Sequence, residues 1–412
     1  MKVINSTDSR ALKRVLSRTA RSNETIARGA ARIVAAVRRG GDAALRRFAE
    51  RLDRLDRGAP LLLGPREIAE SAGQVDPALR RAIERAASTI SKVAAREVPA
   101  TRRVRVNDGV EIELRVSPLE RVGCYVPGGR NPLVSTVLMT AIPARLAGVN
   151  EVVVACPRPV AAVLYAAKVA GVRHVLRAGG AHAVAALAYG TRSVARVDKI
   201  VGPGNAWVSA AKALVAPDCA IDFYAGPTEL VVIAWRSDPE WIAADLVAQA
   251  EHDPDARPIL LTPSARFGRR VATLVERAAP KYGAAAAAVK ANGAVVITRD
   301  LAEAVELSDK IAPEHLLCET EAVARTIRNA GTVFVGRYAV PALGDYATGS
   351  NHVLPTAGAA RARGGLSAAD FVKVTAIQRI TRDGARRLAP TALTLARAEG
   401  LEGHAQSIEA RL

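Results

Sequence analysis

From Arg121 onward, short apolar segments of strand length alternate with longer segments whose apolar residues recur at helical spacing. This alternation constrains the fold more than any other feature of the sequence, because strands separated by helices are typical of a parallel sheet covered by helices. Two such series follow one another. We therefore predict an α/β fold with two tandem, incomplete Rossmann-like domains and a ligand cleft between them. The predicted strands are 122–126, 151–156, 174–176, 199–201 and 229–234 in the first series, and 258–261, 294–297, 315–318 and 332–335 in the second.

The flanking segments have a different pattern. Residues 1–119 are predicted to be mainly helical, with a hairpin near 104–116 around Asn107-Asp108-Gly109. The first Rossmann-like domain is expected to span 120–235. The second spans 236–365 and ends in an aperiodic loop from Gly336 to Gly365, which we interpret as functional. Residues 366–412 are predicted to form short helices.

Composition excludes several classes of protein. The net charge is +18, but the Arg residues alternate with apolar residues at helical spacing and aromatic residues make up only 4%. This pattern favours solvated helix faces over a nucleic-acid surface. The apolar runs are too short to span a membrane, and the N-terminal residues lack the apolar core of a signal peptide. The four cysteines have no C-x-x-C spacing, so free thiols and a cytoplasmic location are expected.

Glycine-rich turns follow three predicted strands of the first domain, at 125–129, 178–181 and 201–205. Glycines at such a turn let the backbone approach a phosphate, and the N-terminus of the next helix favours its charge. A plain strand-to-helix turn explains any one of them equally well. Three in one domain favour a nucleotide site.

Polar stretches in the second half of the chain contain candidate catalytic and metal-binding residues. Glu314 and His315 adjoin at the start of a predicted strand, where a histidine can exchange a proton and a carboxylate can activate water; the alternative is an exposed Glu-His pair. Two imidazoles, a carboxylate and an amide in the remaining stretches form a ligand set that suits Zn²⁺. The alternatives are a solvated helix end near His252 and an ordinary exposed helix near His404. The ligand candidates are Gln249, His252, Asp345, His352 and His404, with Glu399 nearby.

In order and content, these stretches resemble the histidinol dehydrogenase family over nearly the whole chain. The matching motifs are Cys124-Tyr-Val-Pro-Gly-Gly, Val201-Gly-Pro-Gly-Asn-Ala, Ala225-Gly-Pro-Thr-Glu, Gln249-Ala-Glu-His, Pro313-Glu-His-Leu and Gly344-Asp-Tyr-Ala-Thr-Gly-Ser-Asn-His-Val-Leu-Pro-Thr. The resemblance implies a zinc-dependent oxidation of L-histidinol to L-histidine through L-histidinal, with reduction of two NAD, as the last step of histidine biosynthesis. It also implies an intertwined homodimer with shared active sites, in which the partner subunit supplies one zinc ligand.

The resemblance also assigns residue roles. The implied zinc ligands are Gln249, His252, Asp345 and His404. The implied acid–base pair is Glu314 and His315. The implied substrate contacts are Thr228, Gln249, His252, His315, Asp345, His352, Glu399 and His404, and the implied NAD contacts are Tyr125, His182 and Asn205.

Two positions depart from the family pattern. His182 stands where Gln is usual, and an imidazole cannot donate and accept as an amide does. Thr228 stands where Ser is frequent and keeps the hydroxyl. Two other functions are alternatives. A zinc hydrolase with the same ligands and Glu314 as general base leaves the glycine-rich turns unexplained. A basic nucleic-acid-binding protein leaves the polar stretches unexplained.

Overall fold

The computed structural model describes residues 1–17, 24–128, 133–224 and 226–412. Gly129 of the first glycine-rich turn and Ala225 of the Ala225–Glu229 motif lie outside the described residues. Elsewhere the chain forms two six-stranded sheets covered by helices and one three-stranded sheet.

The strands, in chain order, are β1 Lys2–Asn5, β2 Leu62–Leu63, β3 Arg102–Asn107, β4 Val110–Pro118, β5 Arg121–Tyr125, β6 Glu151–Ala155, β7 His174–Leu176, β8 Lys199–Val201, β9 Ala220–Ile221, β10 Glu229–Ile233, β11 Arg257–Thr262, β12 Ala294–Ile297, β13 His315–Cys318, β14 Thr332–Val335 and β15 Val372–Ile380. The helices are α1 Ser9–Leu16, α2 Glu24–Asp53, α3 Pro65–Ala72, α4 Pro77–Glu97, α5 Val134–Leu146, α6 Ala161–Val169, α7 Gly180–Tyr189, α8 Ala206–Val215, α9 Pro239–Ala250, α10 Ala265–Ala278, α11 Ala285–Asn292, α12 Leu301–Ile311, α13 Glu321–Ala324, α14 Pro341–Tyr346, α15 Arg382–Ala398 and α16 Glu402–Glu409.

The first sheet has the order β2-β7-β6-β5-β8-β9. Its strands are parallel except β2, which pairs antiparallel with β7. The chain passes from β5 outward to β7 and then returns to β8 on the other side of β5. This reversal between β5 and β8 is the position where sheets of this class bind ligands. The predicted α/β fold with parallel sheets is confirmed.

The second sheet has the order β1-β12-β11-β10-β13-β14, and all its strand pairs are parallel. The N-terminal strand β1 forms one edge, which the sequence prediction missed because a four-residue strand carries little periodicity. Along β10, Leu230 and Val232 pack toward α9 and α10, whereas Val231 and Ile233 pack toward α12. Both faces of this sheet are therefore buried, as parallel sheets require.

The third sheet, β15-β4-β3, is antiparallel. Its β3–β4 hairpin confirms the turn predicted at Asn107-Asp108-Gly109. The prediction of only short helices after residue 365 is wrong for β15, which pairs with β4 over its whole length. Five of its nine residues are β-branched, which favours a strand, and α15 and α16 follow it as predicted helices.

Two further segments differ from what the sequence pattern predicts. The apolar spacing predicts a helix near 322–330, but α13 ends at Ala324, because the Asp309 carboxylate accepts hydrogen bonds from the backbone N–H groups of Arg328 and Asn329 and holds them in a turn. The aperiodic loop contains α14, whose first residue, Pro341, has a φ already suited to a helix start. Across the described residues, no helix is both long and apolar enough to cross a membrane. The domain boundaries remain predictions.

Candidate active site

A continuous set of hydrogen bonds joins α9 to the residues at the starts of β10 and β13. The Gln249 amide donates to the Thr228 hydroxyl, and this hydroxyl donates to a carboxylate oxygen of Glu314 at 2.5 Å. The same oxygen accepts the backbone N–H of Glu229 at 2.9 Å. Gln249 and Glu314 are both buried, so the hydroxyl of Thr228 is a fixed link between an amide and a carboxylate.

Strand register explains why these residues meet. Leu230 of β10 lies beside His315 of β13 in the parallel sheet, so the residues just before each strand also lie side by side. Before β13, α12 ends at Ile311, and its C-cap residue Ala312 has a left-handed φ of 51°. This turn releases the chain from the helix and directs Glu314 toward the amino end of β10.

His315 lies between two carboxylates. Its Nδ1 is 3.3 Å from the carbonyl oxygen of Glu229 and 3.6 Å from Glu314, and its Nε2 is 3.7 Å from Asp345. A carbonyl oxygen only accepts, so Nδ1 carries a proton and Nε2 is the nitrogen that gains or loses one. Burial alone would lower the pKa of His315, but Glu314 and Asp345 outweigh it and raise the pKa to about 10.

Asp345 is the residue of α14 that contacts His315. Burial acts to raise the pKa of Asp345, but His315, by hydrogen bonding and charge, and the imidazoles of His352 and His252 together hold it below its ordinary value. The carboxylate therefore stays ionised. Its backbone carbonyl oxygen lies 3.0 Å from Nδ1 of His352, so α14 and the segment after it are tied together.

His352 connects the second sheet's residues with the first domain. With its Nδ1 proton directed at Asp345, its Nε2 accepts from the Thr136 hydroxyl of α5 at 3.3 Å. Burial lowers the pKa of His352, which keeps the imidazole neutral and able to accept that bond. The contact brings the start of α5 against the loop that bears Asp345.

Gln249, His252 and Asp345 present suitable atoms for a divalent metal. Their spacing of three residues predicts that Gln249 and His252 share a helix face, but α9 ends at Ala250 and His252 lies in the turn that follows. There His252 donates from Nδ1 to the carbonyl oxygen of Ala248 at 3.1 Å, which leaves the Nε2 lone pair available as in many metal sites. Gln249 donates with its amide nitrogen, so its amide oxygen is the atom left to bind a cation.

The glycine-rich turn before α7 is held by side chains of the protein. Gly179 N–H donates to Asp53 at 2.9 Å and Gly180 N–H donates to the Tyr125 hydroxyl at 2.9 Å. The expected access of a phosphate to these two N–H groups is therefore absent in this structure. Burial raises the pKa of Tyr125 to about 12, so its hydroxyl stays neutral.

His182 is 1% exposed and has its Nε2 2.7 Å from the same Asp53 carboxylate. Its Nδ1 is buried and has no hydrogen-bond partner within the described ranges. Asn205 caps α8 by accepting from the N–H groups of Trp207 and Val208. Its side-chain amide nitrogen remains a donor at the turn between β8 and α8.

Comparison with known proteins places this geometry in a family. The family model for histidinol dehydrogenase matches residues 16–412. The chain is 47% identical to the histidinol dehydrogenase of Cereibacter sphaeroides over 92% of this chain and 90% of that protein. It is 44% identical to that of Methylococcus capsulatus over 97% of this chain and 95% of that protein. The chain belongs to the histidinol dehydrogenase family.

A solved structure agrees with this assignment. The crystal structure of histidinol dehydrogenase from Elizabethkingia anophelis superposes with a TM-score of 0.93 and 32% sequence identity, covering 100% of this chain and 98% of that one. The two tandem sheets described above are therefore the fold of the histidinol dehydrogenase family.

Two residues expected to act in a histidinol dehydrogenase site lie apart from the others. Glu399 ends α15 and His404 lies on α16, and both are exposed. Their side chains make no hydrogen bond or ion pair with the other candidate residues described in the structure. Likewise, no group of three or more His, Cys, Asp or Glu side chains in the described parts of the chain is placed to hold a metal ion. Among the described residues, His252 lies near enough to Asp345 to lower its pKa, but His404 does not join them.

The sequence prediction missed several residues around the site. Asp53 was not among the candidate residues, although its carboxylate binds Gly179 and His182 more than a hundred positions away. Thr136 lies in the apolar helix α5, and nothing in its local sequence predicts its contact with His352. Glu229 was quoted only as part of a motif, yet it pairs with Arg257 at 2.7 Å and its second carboxylate oxygen is buried without a partner in the described structure. Only three-dimensional proximity shows these contacts.

Proposed function

We propose that this chain oxidises L-histidinol to L-histidine through L-histidinal, with reduction of two NAD, as the last step of histidine biosynthesis. Membership of the histidinol dehydrogenase family supports the reaction. The observation that carries the proposal is the continuous contact from Gln249 through Thr228 and Glu314 to His315 and Asp345. It puts metal-binding atoms, a proton-exchanging imidazole and a carboxylate in one place.

His315 has the position of the acid–base residue. Oxidising an alcohol requires removal of the hydroxyl proton while hydride leaves the same carbon, and Nε2 of His315 is the nitrogen that would exchange that proton. With Asp345 engaged as a metal ligand, that carboxylate would no longer raise the pKa of His315, and the ring could then act as the base. Because Nδ1 is fixed on the Glu229 carbonyl oxygen, the ring holds one orientation. Phe334, stacked at 6.1 Å, restrains the ring from its face.

Glu314 is the proposed base of the second oxidation. Water must add to the aldehyde before a second hydride can leave, and a carboxylate held by Thr228 and the Glu229 N–H is positioned to take the proton of that water. These two hydrogen bonds fix one oxygen of Glu314. The other oxygen is then the one that meets water.

Zn²⁺ would be held by Gln249, His252 and Asp345, with His404 of a second copy as the fourth ligand. The amide oxygen, the free imidazole nitrogen and the ionised carboxylate fit a borderline divalent cation. When bound, the ion would hold the imidazole and amine of the substrate and fix its carbinol carbon. The remaining substrate contacts are proposed at Thr228, His315, His352 and Glu399.

NAD is proposed to bind at the carboxyl ends of β5 and β8. Tyr125 ends β5 and Asn205 follows β8, on the two sides of the reversal in strand order. His182, with a buried and unpartnered Nδ1, is the third proposed contact. When bound, the nicotinamide accepts the hydride.

An intertwined homodimer explains the position of the C-terminal segment. Glu399 and His404 are needed at the site but are exposed on α15 and α16. Apolar side chains are exposed on the third sheet and on α15, which favours burial against another chain; they are Val104, Val106, Val374, Ile380 and Leu395. The four cysteines are buried free thiols, in keeping with a proposed cytoplasmic location.

A coupled assay tests the proposed function. Purified protein is supplied with L-histidinol and NAD, and NADH absorbance and histidine are both measured. Two NADH per histidine are expected, and prior chelation of divalent metal should abolish both products until Zn²⁺ is restored. Histidine formation without NADH, or no oxidation of histidinol by the zinc-loaded protein, would refute the proposal. A zinc hydrolase with the same ligands would give no NADH.

A further inference from the structure

Lys212 and Asp222 form a buried ion pair in the first sheet's domain. Lys212 lies on α8 and is 2% exposed, and Asp222 follows β9 and is 5% exposed. The ammonium group contacts one carboxylate oxygen directly. Removing two charges from water is unfavourable unless hydrogen bonds satisfy both groups, so the partners of this pair show what it holds in place.

Both polar groups of Gly202 bind to this pair. Its N–H donates to Asp222 Oδ2 at 2.7 Å, and its carbonyl oxygen accepts from Lys212 Nζ at 3.1 Å. The other oxygen of Asp222 accepts from its own neighbour, Phe223 N–H, at 2.7 Å. The pair therefore fixes the two peptide groups on either side of the Gly202 Cα atom.

Gly202 is also pressed against β5. Its φ is +111°, and a Cβ atom built on it would lie 2.2 Å from the carbonyl oxygen of Tyr125. Only glycine fits this position. A short turn then leads to Asn205, the N-cap of α8. Gly202 thus sets the spacing between Tyr125 on one strand and Asn205 after the next.

We infer that Lys212 and Asp222 are positioning residues for NAD, acting through the Gly202 backbone to hold the Tyr125 and Asn205 side of the cofactor site. The inference rests on the proposed function, in which those two residues contact NAD. The pair is buried beneath the turn, and its polar atoms bind protein groups, so it does not itself meet the ligand. Among the described residues, none of the proposed substrate contacts touches this pair, so the effect is expected on NAD alone.

The test replaces both charges together by apolar residues of similar size, as Lys212→Met with Asp222→Leu. Such a replacement of a buried pair often preserves folding, whereas losing one partner leaves an unpaired charge. NAD binding, measured by titration without histidinol, should weaken about tenfold or more because a displaced turn misplaces its contacts. The KM for histidinol at saturating NAD and kcat should stay near the parent values. Unchanged NAD affinity in the folded double variant would overturn the inference.

A matched control separates positioning from stability. Tyr165→Phe removes a hydrogen bond that helps to hold α6 of the same domain, in which the Tyr165 hydroxyl donates to Glu84 of α4 at 2.5 Å. It should lower the melting temperature without changing the NAD dissociation constant. An equal loss of NAD affinity in Tyr165→Phe would show that any destabilisation of the domain has this effect, and would also overturn the inference.

A measurement on the parent protein needs no variant. The Gly202 amide should exchange its hydrogen as slowly as amides of β8 in the absence of NAD, since Asp222 holds it. If the Gly202 amide exchanges as fast as the amides of an exposed loop, the Lys212–Asp222 pair does not hold it. That result would refute the inference even if the double variant fails to fold. Tyr125→Phe and Asn205→Ala test the proposed function separately. If those two variants keep parent NAD affinity, the NAD site itself is wrongly placed; if they weaken it and the ion-pair variant does not, only the present inference fails.

Discussion

The Thr228 hydroxyl donates to the Glu314 carboxylate at 2.5 Å while it accepts from the Gln249 amide. One hydroxyl therefore orients both a proposed metal ligand and the proposed base. Thr228→Val keeps the shape and removes both hydrogen bonds. We expect kcat for histidinol oxidation to fall about a hundredfold, because a misplaced catalytic group costs rate on that order.

The matched control is Thr228→Ser, which retains the hydroxyl and should keep kcat within a few-fold of the parent. Steady-state rates of NADH formation at saturating histidinol and NAD measure both variants. Equal losses in the Val and Ser variants would mean that the methyl group matters and that the hydroxyl link does not.

Glu314→Gln should separate the two oxidations. The amide keeps the size of the side chain but cannot take a proton from water, so hydration of the aldehyde should slow by about 10²–10⁴. The first oxidation, which uses His315, should continue. Trapping of the aldehyde with a carbonyl reagent should therefore detect histidinal, with about one NADH formed per histidinol consumed.

Formation of histidine by Glu314→Gln at the parent rate would show that another group activates water. Glu319→Gln is the control, because this carboxylate lies beyond the other end of β13. It accepts hydrogen bonds from the backbone N–H groups of Trp235, Arg236 and Ser237. That variant should form histidine with the parent ratio of NADH to histidine.

The sequence predicted most strands of the two parallel sheets because they are buried on both faces and read as continuous apolar runs. Its placement of strand 229–234 in the first series is wrong, because β10 lies in the middle of the second sheet. It also predicted that Glu314 and His315 begin a strand beside other polar residues. It could not predict that Leu230 and His315 are neighbours, since strand order is a property of the whole sheet.

The missed contacts are long-range and involve residues with no local signal. Asp53 ends an Arg-rich helix, and nothing near it in the chain distinguishes it from a solvated carboxylate. Its role depends on α2 packing against α7, as the contact of Phe48 with His182 at 5.8 Å shows. β15 was missed for a different reason: Lys, Thr, Gln and Arg interrupt its apolar residues, and the strand is stabilised by its partner β4.

A mixing experiment tests the shared active site. His252→Asn and His404→Asn should each abolish activity and lower the zinc content of the pure dimer. If His404 acts in the other chain's site, a mixed dimer of these two variants has one site with both defects and one intact site. Random reassembly makes half of the dimers mixed, so about a quarter of the parent activity should return.

The comparison that decides this experiment is a mixture of His252→Asn with Asp345→Asn. These two residues belong to the same chain's half of the site, so each site of that mixed dimer has one defect and activity should stay absent. Failure of the His252→Asn and His404→Asn mixture to regain activity, despite exchange of chains shown by mass spectrometry, would place His404 outside the partner's site.

Asp245 should make stability depend on pH. Its carboxyl lies on α9 without a hydrogen-bond partner in the described structure, and burial raises its pKa from 3.8 to about 6. The folded protein thus holds this proton more tightly than the unfolded chain does. Its contribution to stability is lost as pH rises from about 4 to 6, and at higher pH an ionised, partly buried carboxylate destabilises the fold.

Asp245→Asn should therefore raise the free energy of unfolding at pH 8 by about 2 kcal/mol, less than the roughly 3 kcal/mol of the full shift because solvent reaches part of the group. The gain should shrink as pH falls through 6 and vanish near 4. Denaturant unfolding at several pH values measures it, and Glu240→Gln, which alters an exposed carboxylate of the same helix, should give no such trend. A constant gain at every pH would mean that the amide stabilises α9 by packing and that the ionisation of Asp245 is not responsible.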